Sequence, residues 1–493
     1  MPEPLVCVAV TGRTMEELRR ARDAAEGADL VEVRLDTTDR PDAVGAIEGR
    51  LRPVIVTCRA QWEGGFFAGS EEERQRILER AASAGAEFVD VEAAAGFAET
   101  IIRARRGRGV VLSWHDFHGA PSELAGRVSA MRATGAEVVK IATTANRLED
   151  LLPLMHLSSD IPAHSAGHVL LAMGAAGIPS RILASKLRNR WTYAGDGVAP
   201  GQISASRLLS DFTFRRLQPD AALYGVVGSS VERSRSPAMH NAGFAAIGLN
   251  AAYVPLQTPD VHDFVRFARA VGLQGASITA PHKVSVLPYL DEIEPLARRV
   301  GAVNTLVVRN GRWLGANTDV AGFLAPLAGR MNLKGARATV LGAGGAARSV
   351  AVALADCGAR VTICARRQDA AVQIAQLVDG SVGDFPPGAG TWDVLVNATS
   401  AGAGPDGENP IEGAPLDGEI VFDLVYMPPE TRLLAAARAA GCWTIGGLEM
   451  LVAQAERQFE LWTGRRPPEG LFARSAALDP KTLPKGAGTA SQR

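Results

Sequence analysis

One lysine, Lys140, interrupts an apolar run, EVVKIATT at 137–144, that otherwise reads as a buried strand. The chain has 52 Lys+Arg, yet its only lysines are Lys140, Lys186, Lys283, Lys334, Lys481 and Lys485. Arginine serves wherever a fixed positive charge suffices, so a lysine inside an apolar strand points to an amine that can lose its proton. Burial disfavours the charged form of an amine, and a neutral amine can add to a ketone to form an imine. The imine is an electron sink that acidifies the neighbouring carbon, so a base is needed. SWHDFHG at 113–119 supplies His115 at the end of the preceding strand, and Glu92, one strand earlier, is expected to orient its imidazole. Arg59, Arg181 and Gln202 suit the gripping of a carboxylate and hydroxyls. Each residue also has a plainer reading: a strand lysine can pair with a carboxylate, His115 can be structural, and Arg34 can bridge Glu32 or Asp36. What favours chemistry is their gathering on one face.

That face follows from the elements. Eight short apolar runs, LVCVAV, LVEVRL, PVIVTC, EFVDVE, VVLSWH, EVVKIA, HVLLAM and RWTYA, alternate with helical stretches through the first ~200 residues. This is the pattern of a parallel (β/α)8 TIM barrel, whose chemistry lies at the C-terminal ends of its strands. Glu32, Arg34, Arg59, Glu92, His115 and Lys140 fall at those ends, with Arg181 and Gln202 further on. At 493 residues the chain exceeds one core, and a net charge of −1 gives no global reason to expect nucleic acid or an anionic membrane as partner. Five cysteines without a CxxC pair suggest reduced thiols in the cytoplasm, with no metal implied. The start, MPEPLVCVAV, lacks the features of a signal peptide.

After a polar turn, LQPDAA at 217–222, a second α/β pattern begins. GAGGAA at 342–347 follows an apolar strand and opens a helix, a turn suited to a nucleotide phosphate. The next strand, RVTICARR, ends in Arg366 and Arg367, where an acidic residue would favour NAD; arginine favours the 2′-phosphate of NADP. Lys283 in ITAPHK and Asp319 in GANTDVAGF could hold and protonate a ketone oxygen while hydride reaches the carbon. Read singly, they are a surface charge and a helix cap.

The ordered segments VEVRLD, TCRAQWEGG, FVDVE, SWHDFHG, VVKIATT, GIPSRI and APGQIS resemble type I 3-dehydroquinate dehydratase over residues 1–217. The resemblance implies that Lys140 forms an imine with the C3 ketone of 3-dehydroquinate and that His115, oriented by Glu92, removes the C2 proton and helps the C1 hydroxyl leave. It also implies that Glu32, Arg34, Arg59, Arg181 and Gln202 bind substrate under a closing loop, 197–204, in which Val198 departs from the usual small hydroxyl residue. SRSPAMHN, ITAPHK, AVNTLVV, GANTDVAGF, VNATSAG, FDLVYMPPETRLL and GGLEMLVAQAERQFELWTG are similar to shikimate dehydrogenase over roughly 222–478.

By this second resemblance Ser234 and Ser236 bind the substrate carboxylate, Thr279, Asn304, Tyr426 and Gln454 contact its hydroxyls, and Lys283 with Asp319 is the catalytic pair. Gly342, Ala343, Gly344, Gly345, Ala346, Arg366, Arg367, Thr399, Gly447 and Met450 would hold NADP; Ala365 stands where relatives carry asparagine. The implied architecture is the barrel (1–217), an α/β substrate domain (222–325, completed by 447–478), a Rossmann domain (326–446) and a polar, disordered tail (479–493). The implied activity is dehydration of 3-dehydroquinate followed by NADPH-dependent reduction of 3-dehydroshikimate to shikimate, in the domain order of the plant bifunctional enzymes. Two other readings stay open on residues alone: a quinate/shikimate dehydrogenase in the second half, or one half silent and regulatory.

Overall fold

A computed structural model of the chain describes residues 3–119, 121, 123–160, 167–195, 201–404 and 406–477. The tail 479–493 and positions 197–200 of the expected closing loop, Val198 among them, lie outside the described residues. The described residues form two compact units, one drawn from Met1–Pro237 and Gly248–Ala276, the other from Ala238–Ile247 and Ser277–Arg493.

In the first unit, the eight apolar runs form eight strands: β1 (Leu5–Val10), β2 (Leu30–Arg34), β3 (Val54–Thr57), β4 (Phe88–Glu92), β5 (Val110–His115), β6 (Val138–Thr144), β7 (Gly167–Met173) and β8 (Trp191–Ala194). Their order is β7-β6-β5-β4-β3-β2-β1-β8, and every hydrogen-bonded pair is parallel. The barrel is nearly closed. Between β7 and β8 a side chain stands in for the ladder: the Asn189 amide accepts from Leu170 N and donates to Leu170 O, each at 2.8 Å. Arg190 N adds a bond of 2.9 Å to the His168 carbonyl.

Side chains alternate across a strand, so residues two apart share the barrel interior. Along each interior row the chemistry changes from apolar to polar: Leu30, Glu32, Arg34 on β2; Phe88, Asp90, Glu92 on β4; Val111, Ser113, His115 on β5; Val138, Lys140 on β6. The apolar layer, with Cys7, Ile55, Val169, Leu171, Trp191 and Tyr193, packs into one cluster. It seals the lower barrel and leaves the polar layer at the C-terminal end.

The same unit continues with β9 (Ala222–Gly228) and β10 (Ala251–Gln257), which pair in parallel, and a helix, Val261–Ala270. That helix is fastened to the barrel by Asp263, whose buried carboxylate accepts from the backbone N–H groups of Leu148 (2.9 Å) and Glu149 (3.0 Å). Two orphan donors at the start of a barrel helix are thereby satisfied by a residue more than a hundred positions away.

The boundary between the units falls within β11 (Gly275–Ile278). Beyond it, β12 (Glu292–Ile293) pairs in parallel with β14 (Arg312–Ala316), which forms an antiparallel hairpin with β13 (Thr305–Arg309). The hairpin turns at Asn310-Gly311, both at positive φ (51° and 75°), the conformation that an Asn-Gly pair adopts readily. A six-stranded parallel sheet follows: β15 (Arg337–Leu341), β16 (Arg360–Cys364), β17 (Ser381–Val382), β18 (Val394–Asn397), β19 (Ile420–Asp423) and β20 (Trp443–Gly446), in the order β17-β16-β15-β18-β19-β20. This is the Rossmann order, and its direction reverses between β15 and β18, where dinucleotides bind.

Trp191 is fully buried, 5.4 Å from the Phe88 ring, and fills the bottom of the barrel. Trp191→Ala should destabilise the barrel by about 3–5 kcal/mol. A fall in the urea midpoint for barrel unfolding, followed by far-ultraviolet circular dichroism, checks this.

Candidate active sites

The polar layer of the barrel brings Lys140, Glu32, Arg59, Glu92 and His115 together, as their strand positions require. Lys140 is buried, though not among apolar groups. Its Nζ lies 3.1 Å from Asp90 Oδ2, 3.5 Å from Glu32 Oε2 and 4.3 Å above the Tyr193 ring. The plainer reading of a lysine paired with carboxylates describes this geometry, and the same geometry holds the amine at the mouth of the interior. Asp90 is fully buried, which by itself would raise its carboxyl, but the charges of Arg59 and Lys140 outweigh burial and hold it well below the usual carboxylate range.

The expected Glu92–His115 pair is not present. His115 Nδ1 meets Glu63 Oε1 at 2.8 Å. Glu92 is turned to two arginines: Oε1 accepts from Arg59 Nη1 (3.0 Å) and Ala60 N (3.2 Å), and Oε2 from Arg74. The physical reason is charge: a buried carboxylate between two buried guanidiniums is compensated there, whereas a neutral imidazole offers no such compensation. Burial pushes His115 well below its ordinary value, and the positive charges of Arg59 and Lys140 add to that, so the ring is neutral. Burial also raises Glu63 to about 8, against the opposing pull of Arg59. Glu63 lies in the quoted TCRAQWEGG, at the end of a 3₁₀ turn, Gln61–Glu63, closed by Gly64 in the left-handed conformation. Sequence reasoning missed it because a turn has no periodicity to say where its side chain returns.

Arg34 is held by Asp36 in a two-pronged pair at 2.9 and 2.8 Å, as the plainer reading had it. Both terminal nitrogens of Arg59 are committed inside the barrel, to Glu92, Ser113 and Asp90, so it is not turned toward a ligand as expected. Arg181 differs. It is buried, and its guanidinium donates only to carbonyls, of Gly201 (3.0 Å) and Tyr193 (3.4 Å), with no carboxylate partner among the described residues. Burial lowers it to about 10. An incoming carboxylate would supply the missing countercharge. Gln202 is half-buried beside Gly195.

In the second unit Lys283 Nζ stands 2.6 Å from Asp319 Oδ2, the first residue of the helix Asp319–Leu327. Asn304 Nδ2 donates to Asp319 Oδ1 (2.8 Å), Thr318 Oγ1 (2.9 Å) and Gln454 Oε1 (3.4 Å), while its Oδ1 accepts from Thr318 N (2.7 Å). Lys283, Asp319, Asn304 and Gln454 thus form one cluster. Gln458, one helical turn beyond Gln454, supports it by donating to Asn304 O (3.1 Å) and Thr305 Oγ1 (3.0 Å) and accepting from Ser277 (2.7 Å). Nothing in its sequence position marked it out. Thr279 and Tyr426 are half-buried. In the first unit Ser234 and Ser236 sit at the entry of the helix Ser236–Ala246, where Ser236 N donates to Ser234 Oγ at 3.2 Å.

The glycine turn after β15 fits a dinucleotide phosphate. Gly342 has φ +109°, and a Cβ there would lie 2.9 Å from Thr399 Cγ2. Gly344, at the N-cap of the helix Gly345–Asp356, faces open space, so ligand oxygens can approach the backbone there; Ala343 and Ala346 are half-buried beside it. A Cβ on Gly345 would lie 3.0 Å from the Lys283 side chain. Arg366 and Arg367 are exposed at the end of β16 with no ion pair among the described residues. Thr399 is anchored to Asn397 Oδ1 at 2.7 Å, Met450 is buried, and a Cβ on Gly447 would lie 2.2 Å from the Leu424 carbonyl oxygen.

Family models agree with this division of chemistry. Type I 3-dehydroquinase matches residues 6–218, the shikimate dehydrogenase substrate binding domain 226–306, and the shikimate 5′-dehydrogenase C-terminal domain 447–476. The chain is 44% identical over 277 residues to the shikimate dehydrogenase (NADP(+)) of Symbiobacterium thermophilum, covering 52% of this chain and 93% of that one. A crystal structure of shikimate dehydrogenase from Aquifex aeolicus superposes with a TM-score of 0.50 at 32% identity, covering 53% of this chain and all of its own. The chloroplastic bifunctional 3-dehydroquinate dehydratase/shikimate dehydrogenase of Arabidopsis thaliana is 35% identical over 511 residues, covering 95% of this chain and 83% of its own length. This chain, with a lysine-bearing barrel ahead of a Rossmann-like parallel sheet, belongs to the family of bifunctional 3-dehydroquinate dehydratase/shikimate dehydrogenases.

Proposed function

We propose that the chain catalyses two consecutive steps: dehydration of 3-dehydroquinate to 3-dehydroshikimate in the barrel, and NADPH-dependent reduction of that product to shikimate in the second half. The observation that carries the first step is Lys140, held at the barrel mouth by Asp90 and Glu32 within the layer that also contains the His115–Glu63 pair.

In the first step the Lys140 amine adds to the C3 carbonyl and water leaves, giving an iminium whose positive charge faces the Asp90 and Glu32 carboxylates. His115 takes the C2 proton, and the electron pair moves into the iminium to give an enamine. When the pair returns, the C1 hydroxyl departs as water with a proton from His115, and hydrolysis frees Lys140. Arg181 receives the substrate carboxylate; Gln202 and Arg34 complete the binding set implied by family, while Arg59 stays tied to Glu92, Ser113 and Asp90 inside the barrel.

For the second step the cofactor is NADP(H), which supplies the hydride when bound. Lys283 donates a proton to the ketone oxygen, and Asp319, fixed by Asn304, keeps that ammonium directed. Ser234 and Ser236 bind the substrate carboxylate, with Thr279, Tyr426 and Gln454 on its hydroxyls. Arg366 and Arg367 meet the 2′-phosphate. We place the domain boundaries at 1–217, 222–325 with 447–478, and 326–446. Five free cysteines support a reducing, cytoplasmic setting; among the described residues no helix is long and apolar enough to cross a membrane.

Lys140→Ala should abolish dehydration and borohydride trapping with 3-dehydroquinate while shikimate oxidation persists, as peptide mapping and paired assays would show. For His115 to act as base through Nε2, Nδ1–H must donate to an ionised Glu63. Turnover of the native chain should therefore rise with pH through about 8, where Glu63 ionises. In Glu63→Gln the amide oxygen accepts that proton at any pH, so the limb should move to lower pH, with maximal kcat down roughly 10–100-fold. Steady-state pH profiles of both proteins test this. Arg366→Ala should raise KM for NADPH roughly tenfold or more and leave KM for NADH within about twofold.

A further inference from the structure

The barrel interior holds more ionic side chains than the dehydration steps use. Five of them, Arg74, Glu92, Arg59, Asp90 and Lys140, alternate in sign from the outer helix to the reacting nitrogen. Arg74 enters from the helix Glu71–Ser83 with its side chain fully buried, flanked by the Phe97 ring at 4.8 Å and the Trp62 ring at 5.7 Å. Its Nη1 bonds Glu92 Oε2 and the Cys58 carbonyl (3.3 Å), and its other nitrogens reach Glu71. The other oxygen of Glu92 holds Arg59 Nη1 at 3.0 Å. Arg59 Nη2 reaches Asp90 Oδ1 at 2.9 Å, and its Nη1 donates to Ser113 Oγ at 2.7 Å. The Ser113 hydroxyl donates in turn to the same Asp90 oxygen at 2.6 Å. Only then does Asp90 Oδ2 face Lys140 Nζ, at 3.1 Å.

Stability alone does not account for this chain. Buried ion pairs can often be replaced by apolar groups without loss, so a row of them is better explained by what it fixes than by what it adds to folding. What it fixes is a direction. Lysine has a flexible four-carbon stem, and an amine displaced by about 1 Å from its attack position can lose on the order of 10²-fold in rate. With Oδ1 tied by two donors, the Asp90 carboxylate cannot rotate, and Oδ2 is held toward Nζ.

We propose that Arg74, Glu92 and Ser113 are positioning residues for the dehydration, acting on Lys140 through Arg59 and Asp90 without touching substrate. This rests on Lys140 being the imine-forming residue.

The test uses the full chain carrying Ser113→Ala or Glu92→Gln, mixed with 3-dehydroquinate and quenched with borohydride at increasing times. The trapped fraction of Lys140 is read by peptide mass, alongside kcat, KM and shikimate oxidation on the same sample. The final trapped fraction should match the native chain, while the trapping rate and kcat fall roughly 10–100-fold and KM stays within about threefold. A merely structural role would lower the trapped fraction and leave the rate per folded site unchanged, overturning the proposal. A native trapping rate, or an effect carried wholly by KM, would overturn it too, the latter by placing Arg59 on the substrate. Should Glu92→Gln not fold, Ser113→Ala, which removes a single hydroxyl, decides. Labelling of the native chain at another residue would instead refute the imine reading beneath.

Discussion

Charge inside a protein must be answered by charge, and in the barrel that constraint decides almost every contact of the polar layer. Lys140 cannot stand alone among apolar groups, so it stands between Asp90 and Glu32. Asp90 in turn needs Arg59, and Arg59 needs Glu92. The result is a lattice of alternating sign in which the Arg181 guanidinium lacks an anion among the described residues, while burial holds the His115 ring neutral and raises its partner Glu63 to about 8. An unanswered cation can take an incoming anion, and a neutral ring can receive a proton.

This constraint also explains what could be read from the sequence. The barrel was legible because eight β-branched runs alternate with helical segments, and all eight became strands at those positions. Lys140 and His115 were legible because polar residues in apolar strands stand out, and strand period two fixes which way they face. Glu92 was misread for a related reason. Strand adjacency correctly placed it near His115, but adjacency does not say which neighbour a carboxylate will choose, and two buried arginines compete better than an imidazole. Arg74 shows why: it arrives from a helix, and nothing in a helical stretch rich in arginine marks one of them as fully buried. Glu63 was missed because it is delivered by a turn.

The reductase cluster follows a different logic. There the pair Lys283–Asp319 is held mainly by neutral groups, the amide of Asn304 and, behind it, the hydroxyls of Thr305 and Thr318, with Gln458 supporting from a helix. Amides and hydroxyls both donate and accept, so such a network fixes a carboxylate without importing further charge. Lysine, aspartate and the glycine turn could be read from their motifs. Gln454 was named by the resemblance alone, and Gln458 on the same helical face was missed, because only packing puts one beside Asn304's side chain and the other beneath its backbone.

Gly345 links two parts that are usually treated as separable. It belongs to the turn that receives a dinucleotide, yet the space a side chain would need there is occupied by Lys283. A redesign that transplants a phosphate-binding turn from another nucleotide fold, bringing alanine or serine to this position, would press on the Lys283 side chain as well as on the cofactor. Swaps intended to alter cofactor choice should therefore treat residues 345 and 283 as one packing unit.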